Sequence, residues 1–247
     1  MSGRTAIVFG PVQPTWDEGA FFAPVTERLR SRGITVQLID TVAPVDTSMT
    51  VQDLAARWFR RLGHTGRVDL LCGNALGGAV AQAYAAHLDV PVPVLSVSGP
   101  GQSDPVLAER LGEIADLADR GRLDAALALL QRRVAARGAR GSDEPRVTVP
   151  AVSAASDDPI AARRITLGLR MLCDLDLSGL LSDYAAPITT VVGSDSQLVT
   201  EQHASTTPQS ETIVFEGAGM RPHHDRPELL DSVVTTLIKE METAPWT

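Results

Sequence analysis

The sequence predicts an α/β fold in which a mostly parallel central sheet is covered by helices on both faces. Short apolar runs alternate with amphipathic segments near both ends of the chain, which is the pattern of a parallel sheet. Between about residues 103 and 182 the helical periodicity continues without strands, which predicts an inserted helical segment. Residues 70–81 add an apolar run, a tight Gly-Asn-Ala-Leu-Gly turn and a helix of small residues. At 247 residues, one large domain with an insertion is expected.

The first half of the chain is predicted to hold four strands and three helices. Apolar runs predict the strands, at 5–9, 34–39, 70–72 and 92–97. One amphipathic helix is predicted over 22–32 and ends at Gly33, a residue that commonly terminates helices. Thr50 followed three residues later by Asp53 predicts the start of a second helix. The third helix follows the glycine-rich turn and continues to His87.

The second half is predicted to begin with helices and to return to alternating strands and helices. Helices are expected over 106–120, 123–137 and 160–181, with a break rich in glycine, proline and charge over 138–150. Strands are expected at 188–192 and 211–215, before a last helix over 227–242. We therefore expect a core formed by residues 1–102 and 183–247, with residues 103–182 as a helical cap.

Composition excludes several kinds of partner. The net charge is −8 and the isoelectric point is near 5.1, which argues against nucleic acid or an anionic membrane surface. Cys72 and Cys173 are too few for a disulfide framework, and no secretion signal or membrane span is recognised, so a cytoplasmic protein is expected. Lys239 is the single lysine among 22 basic residues, a usage typical of a GC-rich genome.

The turn over residues 73–77 has the form of the G-x-S-x-G nucleophile elbow, in which a strained turn displays one side chain above a sheet. Gly73 and Gly77 fit this form, because side chains there would clash where backbone approaches backbone. The central position, which carries the nucleophile in such a turn, is Ala75. The sequence therefore keeps the shape of the motif without its reactive group.

Five segments in the expected order resemble the α/β-hydrolase superfamily across nearly the whole chain. They are Phe9-Gly10 with Trp16 in the following loop, Asp40 after the next strand, the elbow at 73–78, a strand and turn at 187–199, and a loop at 216–228 similar to the family's histidine loop. The start of the chain directly at the first strand is similar to the plant methylesterase and hydroxynitrile-lyase branch. The resemblance implies the α/β-hydrolase fold with an inserted helical cap.

The resemblance also assigns the three catalytic positions, and in this sequence none of them holds the expected residue. The nucleophile position is Ala75, the acid position is Ser196, and the base position is Met220. A one-residue shift would place Asp195 at the acid position instead. Loss of triad members typically lowers the rate by several orders of magnitude, so ester hydrolysis through an acyl-enzyme is not expected.

The oxyanion hole that the resemblance implies is also incomplete. Pro11 stands where the family has its first backbone donor, and proline has no N–H. The second donor, the N–H of Leu76, is expected to survive. An engineered Ser→Ala change at residue 75 is an alternative explanation of the elbow, but it leaves Pro11, Ser196 and Met220 unexplained.

Three residues are candidates for acid–base catalysis. Asp17 and Glu18 lie in the loop beside Trp16, where a desolvated carboxylate would have a raised pKa. Alternatively they form a solvated loop tip. His223 would serve as a base if its loop rearranged, whereas the simpler interpretation is that it packs near the start of the last helix. The predicted substrate-binding residues are Phe9, Gln13, Trp16, Asn74, Ala75, Leu76, Ser98, Ser196 and Met220.

Other polar residues are given structural roles. Adjacent His223 and His224 with the distant His203 lack the spacing of metal ligands, so neither a metal nor another cofactor is predicted. The arginines of the insertion are expected on a solvated face, with Arg170 the one to check for contact with the pocket. The solvated set is Arg110, Arg132, Arg133, Arg163 and Arg164.

The leading functional hypothesis is a cofactor-free, non-hydrolytic enzyme, namely a cyclase, isomerase or lyase. It would act on a largely apolar small molecule, in bacterial secondary metabolism, inside a pocket between cap and core. One alternative is a catalytically inactive protein that binds a ligand or a partner, and the other is an engineered esterase-like hydrolase. An ionisable group in the pocket would favour the enzyme, and a wholly apolar pocket the binding protein. The oligomeric state is left open, with a homodimer as one alternative.

Overall fold

A computed structural model of the chain describes residues 3–63, 67–138 and 158–243. The described residues form a six-stranded sheet in the order β2-β1-β3-β4-β5-β6, and every neighbouring pair is parallel. The strands are β1 (Thr5–Phe9), β2 (Thr35–Ile39), β3 (Leu70–Asn74), β4 (Val94–Val97), β5 (Ile188–Gly193) and β6 (Ser210–Phe215). The predicted parallel sheet is confirmed. The break expected over 138–150 lies outside the described residues, apart from Gly138.

Helices cover both faces of the sheet. They are α1 (Ala23–Ser31), α2 (Val51–Leu62), α3 (Leu76–Ala85), α4 (Pro105–Asp119), α5 (Leu123–Val134), α6 (Pro159–Arg170), α7 (Ser178–Leu181), α8 (Pro222–Asp225) and α9 (Pro227–Thr243). A 3₁₀ turn at Ala20–Phe22 precedes α1, and another lies at Glu201–His203. One hydrophobic core joins the sheet to α1 and α9, and a larger one joins its other face to α2, α3 and the helices between β4 and β5. Strands covered on both faces explain the continuous apolar runs in the sequence.

Helix α3 lies unusually close to the sheet because small residues form the contact. A Cβ atom on Gly78 would lie 2.6 Å from Ser96 Oγ and 2.8 Å from Gly99 Cα. Gln82, one turn further along, donates from its amide to Ser96 Oγ at 3.1 Å and to the Gly78 carbonyl at 3.2 Å. Because Gly78 has no side chain and the buried Gln82 amide bonds across the contact, α3 and the turn before it are fixed against the end of β4.

Helices α4–α7 (residues 105–181), called the inserted helices below, connect β4 to β5. The prediction of one helix over 160–181 is wrong, because α6 ends at Arg170 and α7 begins at Ser178. The intervening backbone bonds elsewhere instead: the Leu175 carbonyl accepts from the N–H of Ser103, and the N–H of Leu177 donates to the Gly101 carbonyl, both at 2.8 Å. These long-range bonds compete with the helical ones.

The last helix also begins with a separate turn. Helix α8 ends at Asp225, and α9 starts two residues later at Pro227. Pro227 lacks an N–H and disfavours helical backbone in the residue before it, and Arg226 accordingly has φ −141° and ψ 63°. His223 is thereby placed in a four-residue helix of its own.

Candidate functional site

The turn between β3 and α3 has the strained geometry expected of a nucleophile elbow. Ala75 lies at its tip with φ 49° and ψ −117°, a combination that L-residues rarely adopt. Strained backbone of this kind costs about 1–3 kcal/mol and persists only where the surroundings enforce it. Ala75 is half-buried, so its methyl group is displayed at the carboxyl edge of the sheet.

The glycines that flank Ala75 account for this geometry, as the sequence predicts. A Cβ atom on Gly73 would lie 2.2 Å from the carbonyl carbon and oxygen of Gly77. A Cβ atom on Gly77 would lie 2.1 Å from the Phe9 carbonyl oxygen and 2.5 Å from that of Gly10. Every obstructing atom is backbone and cannot move aside. The elbow is therefore pressed directly against the end of β1.

Asn74 and Ser98 lie on neighbouring strand ends beside Ala75. The Asn74 amide donates to the Val97 carbonyl at 2.9 Å, and the N–H of Ala75 donates to the same oxygen at 3.0 Å. The Asn74 side chain is thus engaged in holding the elbow. Ser98 directly follows Val97, is fully buried and has φ 49°, and its hydroxyl has no hydrogen-bond partner among the described residues. Two adjacent strands therefore end in strained residues.

The loop from β1 to α1 is built around Asp17. This carboxylate accepts from Gln13 Nε2 at 2.7 Å, from the N–H of Gly19 at 2.9 Å and from the N–H of Phe21 at 2.8 Å. With three bonds inside its own loop, Asp17 stabilises the turn. Glu18 is exposed and has φ 57°, as expected at a loop tip.

The start of the same loop faces the elbow. Pro11 follows Gly10, so no backbone N–H is present at that position. The Trp16 ring covers Gly10, where an added Cβ would lie 2.6 Å from Trp16 Cζ3. The N–H of Leu76, in the first turn of α3, remains next to Ala75. Phe9 and Leu76 are fully buried against this point.

His223 is enclosed by aromatic rings. Its ring centroid lies 5.2 Å from that of Phe21, 5.1 Å from that of Phe22 and 4.4 Å from that of His224. The side chain is fully buried, and neither ring nitrogen has a hydrogen-bond partner among the described residues. Burial holds the pKa of His223 well below its usual range, so the imidazole is neutral near pH 7.

The two positions assigned to the acid and the base are close together and buried. Ser196 follows β5, and its hydroxyl accepts weakly from the N–H of Leu198 at 3.4 Å. The N–H of Val199 points at the sulfur of Met220, 3.2 Å away. Backbone bonds also join the two loops, since the N–H of Asp195 donates to the Ala218 carbonyl at 2.9 Å. The two loops therefore lie against each other, whereas the catalytic positions assigned to them stay a prediction.

The sequence did not predict how closely the end of α5 contacts these loops. The Val134 carbonyl accepts from the N–H of Met220 at 3.0 Å, and the Asp195 carbonyl accepts from the N–H of Arg137 at 2.8 Å. The Gln197 amide donates to the carbonyls of Arg132 and Ala135, both at 2.9 Å. The backbone-to-backbone bonds among these contacts leave no mark on residue type, so no motif could have revealed them.

Two arginines of the insertion are not on a solvated face, and that prediction is wrong for them. Arg164 forms a two-point ion pair with Asp40, at 2.9 and 2.7 Å, and its Nε donates to the Gln13 carbonyl at 2.9 Å. Arg110 donates to the Gln197 carbonyl. Arg170, in contrast, pairs at the surface with Asp116 and Asp119, each at 3.0 Å. The positions of arginines along a helix do not indicate which carboxylates from distant segments of the chain will lie next to them.

Two recesses lie away from the elbow. One of about 10 Å³, enough for one water molecule, is bordered by Gly101, Leu181 and Ser205. A surface groove of about 440 Å³ lies between α1 and α9, with Arg28 and Asp231 on its walls. Neither is lined by Ala75, so the apolar pocket expected over the elbow stays a prediction.

Solved structures share this architecture. The chain superposes on MGS-M2, an α/β hydrolase from a Medee basin deep-sea metagenome library, with a TM-score of 0.73 and 12% identity; 97% of this chain and 90% of that one are covered. For a thermophilic esterase from Thermogutta terrifontis the values are 0.69 and 18%, with coverage of 98% and 92%. For BpoC of Mycobacterium tuberculosis, described as a putative non-heme bromoperoxidase, they are 0.71 and 14%, with coverage of 97% and 93%. This chain therefore has the α/β-hydrolase fold.

The named activities of these structures differ, and at such identities the likeness concerns the fold alone. No protein-family model matches the sequence, and no curated protein matches it. In the described ranges, no helix combines the length and the hydropathy needed to cross a membrane. Among the same residues, no three His, Cys, Asp or Glu side chains are grouped as metal ligands would be.

Proposed function

We propose that this protein binds a largely apolar small molecule over Ala75 without forming an acyl-enzyme. The observation that carries the proposal is the elbow itself. Gly73 and Gly77 force residue 75 into a strained conformation, yet the side chain displayed there is a methyl group. The geometry that positions a nucleophile is maintained at an energetic cost, whereas a group able to attack is missing.

The surroundings of the elbow support binding of an apolar molecule. Ala75 packs against the hydrophobic core that contains the buried side chains of Met220, Val199, Phe9 and Leu76. A site with such walls favours apolar surface. We propose the N–H of Leu76 and the hydroxyl of Ser98, which has no partner among the described residues, as the polar groups that orient the ligand.

The finer proposal is that the bound molecule undergoes a cyclase, isomerase or lyase reaction. Such reactions are accelerated by orientation together with modest acid–base help, and they need no covalent intermediate. Of the three candidate groups, Asp17 is occupied by its loop and Glu18 is exposed. His223 remains, because in its neutral ring the one nitrogen without a proton could accept one if the loop opened toward the ligand. The alternative is binding without chemistry. A substrate screen would indicate it by finding molecules that bind but are not converted.

Restoring the nucleophile tests the proposal. We expect Ala75→Ser to show no turnover of p-nitrophenyl butyrate beyond that of Ala75→Gly. The reason is that Met220 cannot take the serine proton and Pro11 offers no N–H to an oxyanion. The measurement is the release of p-nitrophenolate, with intact mass spectrometry to detect an acyl adduct. Steady hydrolysis by the serine variant would contradict the proposal and would favour an altered hydrolase.

A further inference from the structure

Arg164 joins the inserted helices to the sheet through a largely buried guanidinium. Its Nη1 and Nη2 donate to the two Asp40 carboxylate oxygens at 2.9 and 2.7 Å, and its Nε donates to the Gln13 carbonyl at 2.9 Å. The side chains of Arg164 and Asp40 are only 15% and 18% exposed. Planar two-point pairs of this kind fix direction as well as distance.

Asp40 is a rigid anchor for this pair. It follows β2 directly, where the Ile39 carbonyl accepts from the N–H of Gly10 at 3.0 Å. The next residue, Thr41, is buried and donates from its hydroxyl to the Gly10 carbonyl at 2.7 Å. The end of β2 is thus bonded twice to the residue that abuts the elbow. Asp40 is therefore fixed relative to Ala75.

Gln13 belongs to the less regular β1–α1 loop, and Arg164 is the group that connects this loop to the fixed strand end. The Gln13 side chain continues the connection, since its amide donates to Asp17, which in turn accepts from the N–H groups of Gly19 and Phe21. An uninterrupted series of bonds therefore runs from Asp40 through Arg164 to the start of the 3₁₀ turn. Among the described residues, removing Arg164 would leave Gln13 and Asp17 bonded only within the loop and the 3₁₀ turn that follows it.

A second contact one helical turn further along α6 holds the same loop. Val12 packs on the bare backbone of Gly168, where an added Cβ would lie 2.6 Å from Val12 Cγ2. Residues four apart lie on one face of a helix, so Arg164 and Gly168 form a single contact surface. That surface presses on the residues that directly follow Pro11.

From these contacts we infer that Arg164 is a positioning residue for the site over Ala75. Its guanidinium holds the loop of Pro11, Val12 and Gln13 against the elbow, so the affinity for an apolar ligand depends on it. The inference rests on the proposed binding function. When the loop is already ordered, binding does not have to pay the entropy of ordering it. Loss of this order should therefore weaken the affinity about tenfold.

The neighbouring arginine supplies a matched control. Arg163 pairs with Asp46 at 3.3 Å, but those side chains are 58% and 60% exposed. With the neutral apolar fluorophore N-phenyl-1-naphthylamine as probe, we expect Arg164→Gln to raise the dissociation constant about tenfold and Arg163→Gln to leave it unchanged. Equal affinities in both variants would overturn the inference.

The conservative variant separates geometry from charge. Lysine keeps the charge of Arg164 but cannot reach the Asp40 carboxylate and the Gln13 carbonyl together as the fork does. We therefore expect Arg164→Lys to bind the probe as weakly as Arg164→Gln. Full affinity in the lysine variant would show that charge alone suffices and would refute a positioning role.

Amide hydrogen exchange keeps the inference testable apart from the binding function and from general instability. We expect Arg164→Gln to speed exchange at Gly19 and Phe21, whose N–H groups depend on Asp17, while Gly33 at the end of α1 is unchanged. The inference would be overturned if exchange became faster throughout the protein, or if the exchange rates of Gly19 and Phe21 did not change. If the unaltered protein binds no probe while the loop amides respond as expected, then the proposed function fails and the loop connection stands.

Discussion

The strain at the elbow can be measured directly by giving residue 75 the freedom of glycine. Ala75→Gly removes the Cβ atom that makes φ 49° and ψ −117° unfavourable. Most alanine-to-glycine changes destabilise a protein, because glycine gains freedom in the unfolded chain. At this position the relief of strain in the folded chain acts in the opposite direction, so the sign of the effect is informative.

The magnitude follows from three contributions. Relief of backbone strain stabilises the folded chain by about 1–3 kcal/mol. Greater freedom of the unfolded chain costs about 0.4–1 kcal/mol. Loss of the half-buried methyl group costs about half of the ~0.8 kcal/mol of a fully buried one. The contributions sum to a net stabilisation of about 0.5–1 kcal/mol at the centre of these ranges.

Ala56 in the middle of α2 is the matched control. It is also half-buried, but it lies in regular helix, where the same change costs about 1 kcal/mol. The two variants should therefore differ by about 1.5–2 kcal/mol, or roughly 3–8 °C in melting temperature for a chain of this length. Urea denaturation followed by circular dichroism measures the free energy of unfolding of each variant, and thermal denaturation measures its melting temperature. If Ala75→Gly destabilised the protein as much as Ala56→Gly, the strained elbow would be refuted.

Two further predictions concern packing and pH. Gly77→Ala should destabilise the protein by about 3 kcal/mol or more, because the new Cβ would meet the Phe9 carbonyl at 2.1 Å. Gly112→Ala in α4 is the control: its Cβ would meet nothing within 4 Å, and it should stabilise the protein by about 0.5–1 kcal/mol. Equal effects of the two changes in urea denaturation would contradict the close packing at Gly77. Because burial lowers the pKa of folded His223 well below 6.5, the unfolded chain takes up a proton first as the medium is acidified. The stability that His223 contributes is present above about pH 6.5 and is lost as pH falls below it, so His223→Leu should flatten the dependence of melting temperature on pH between about 6.5 and 5. An unchanged slope would show that His223 does not stay neutral.

The sheet was predictable because its determinants are local. Five-residue apolar runs and the glycines of the elbow leave few alternatives, since a side chain at Gly73 or Gly77 would strike backbone. The break between α6 and α7 was not predictable in this way. It depends on bonds from Leu175 to Ser103 and from Leu177 to Gly101, about 70 residues apart in sequence. Helical periodicity alone therefore extended the helix too far.

The candidate site was predicted in part for the same reason. The glycine-flanked turn locates Ala75, and the resemblance to the α/β-hydrolase superfamily locates the two loops around Ser196 and Met220. Arg164 was missed because its partner Asp40 lies 124 positions away, and an arginine on a helix is usually solvated. The enclosure of His223 by Phe21 and Phe22 likewise joins segments about 200 residues apart. Such pairings depend on tertiary packing, to which residue type is only a weak guide.

The most direct test of the binding site is the methyl resonance of Ala75 during titration with N-phenyl-1-naphthylamine. In protein with labelled alanine methyl groups, the resonance is assigned by its loss in Ala75→Gly, and Ala56 serves as a distant reference. We predict a saturable shift at Ala75 that follows the fluorescence isotherm, with Ala56 unmoved. Saturable binding of the probe that left the Ala75 methyl unshifted would place the ligand elsewhere and contradict the account.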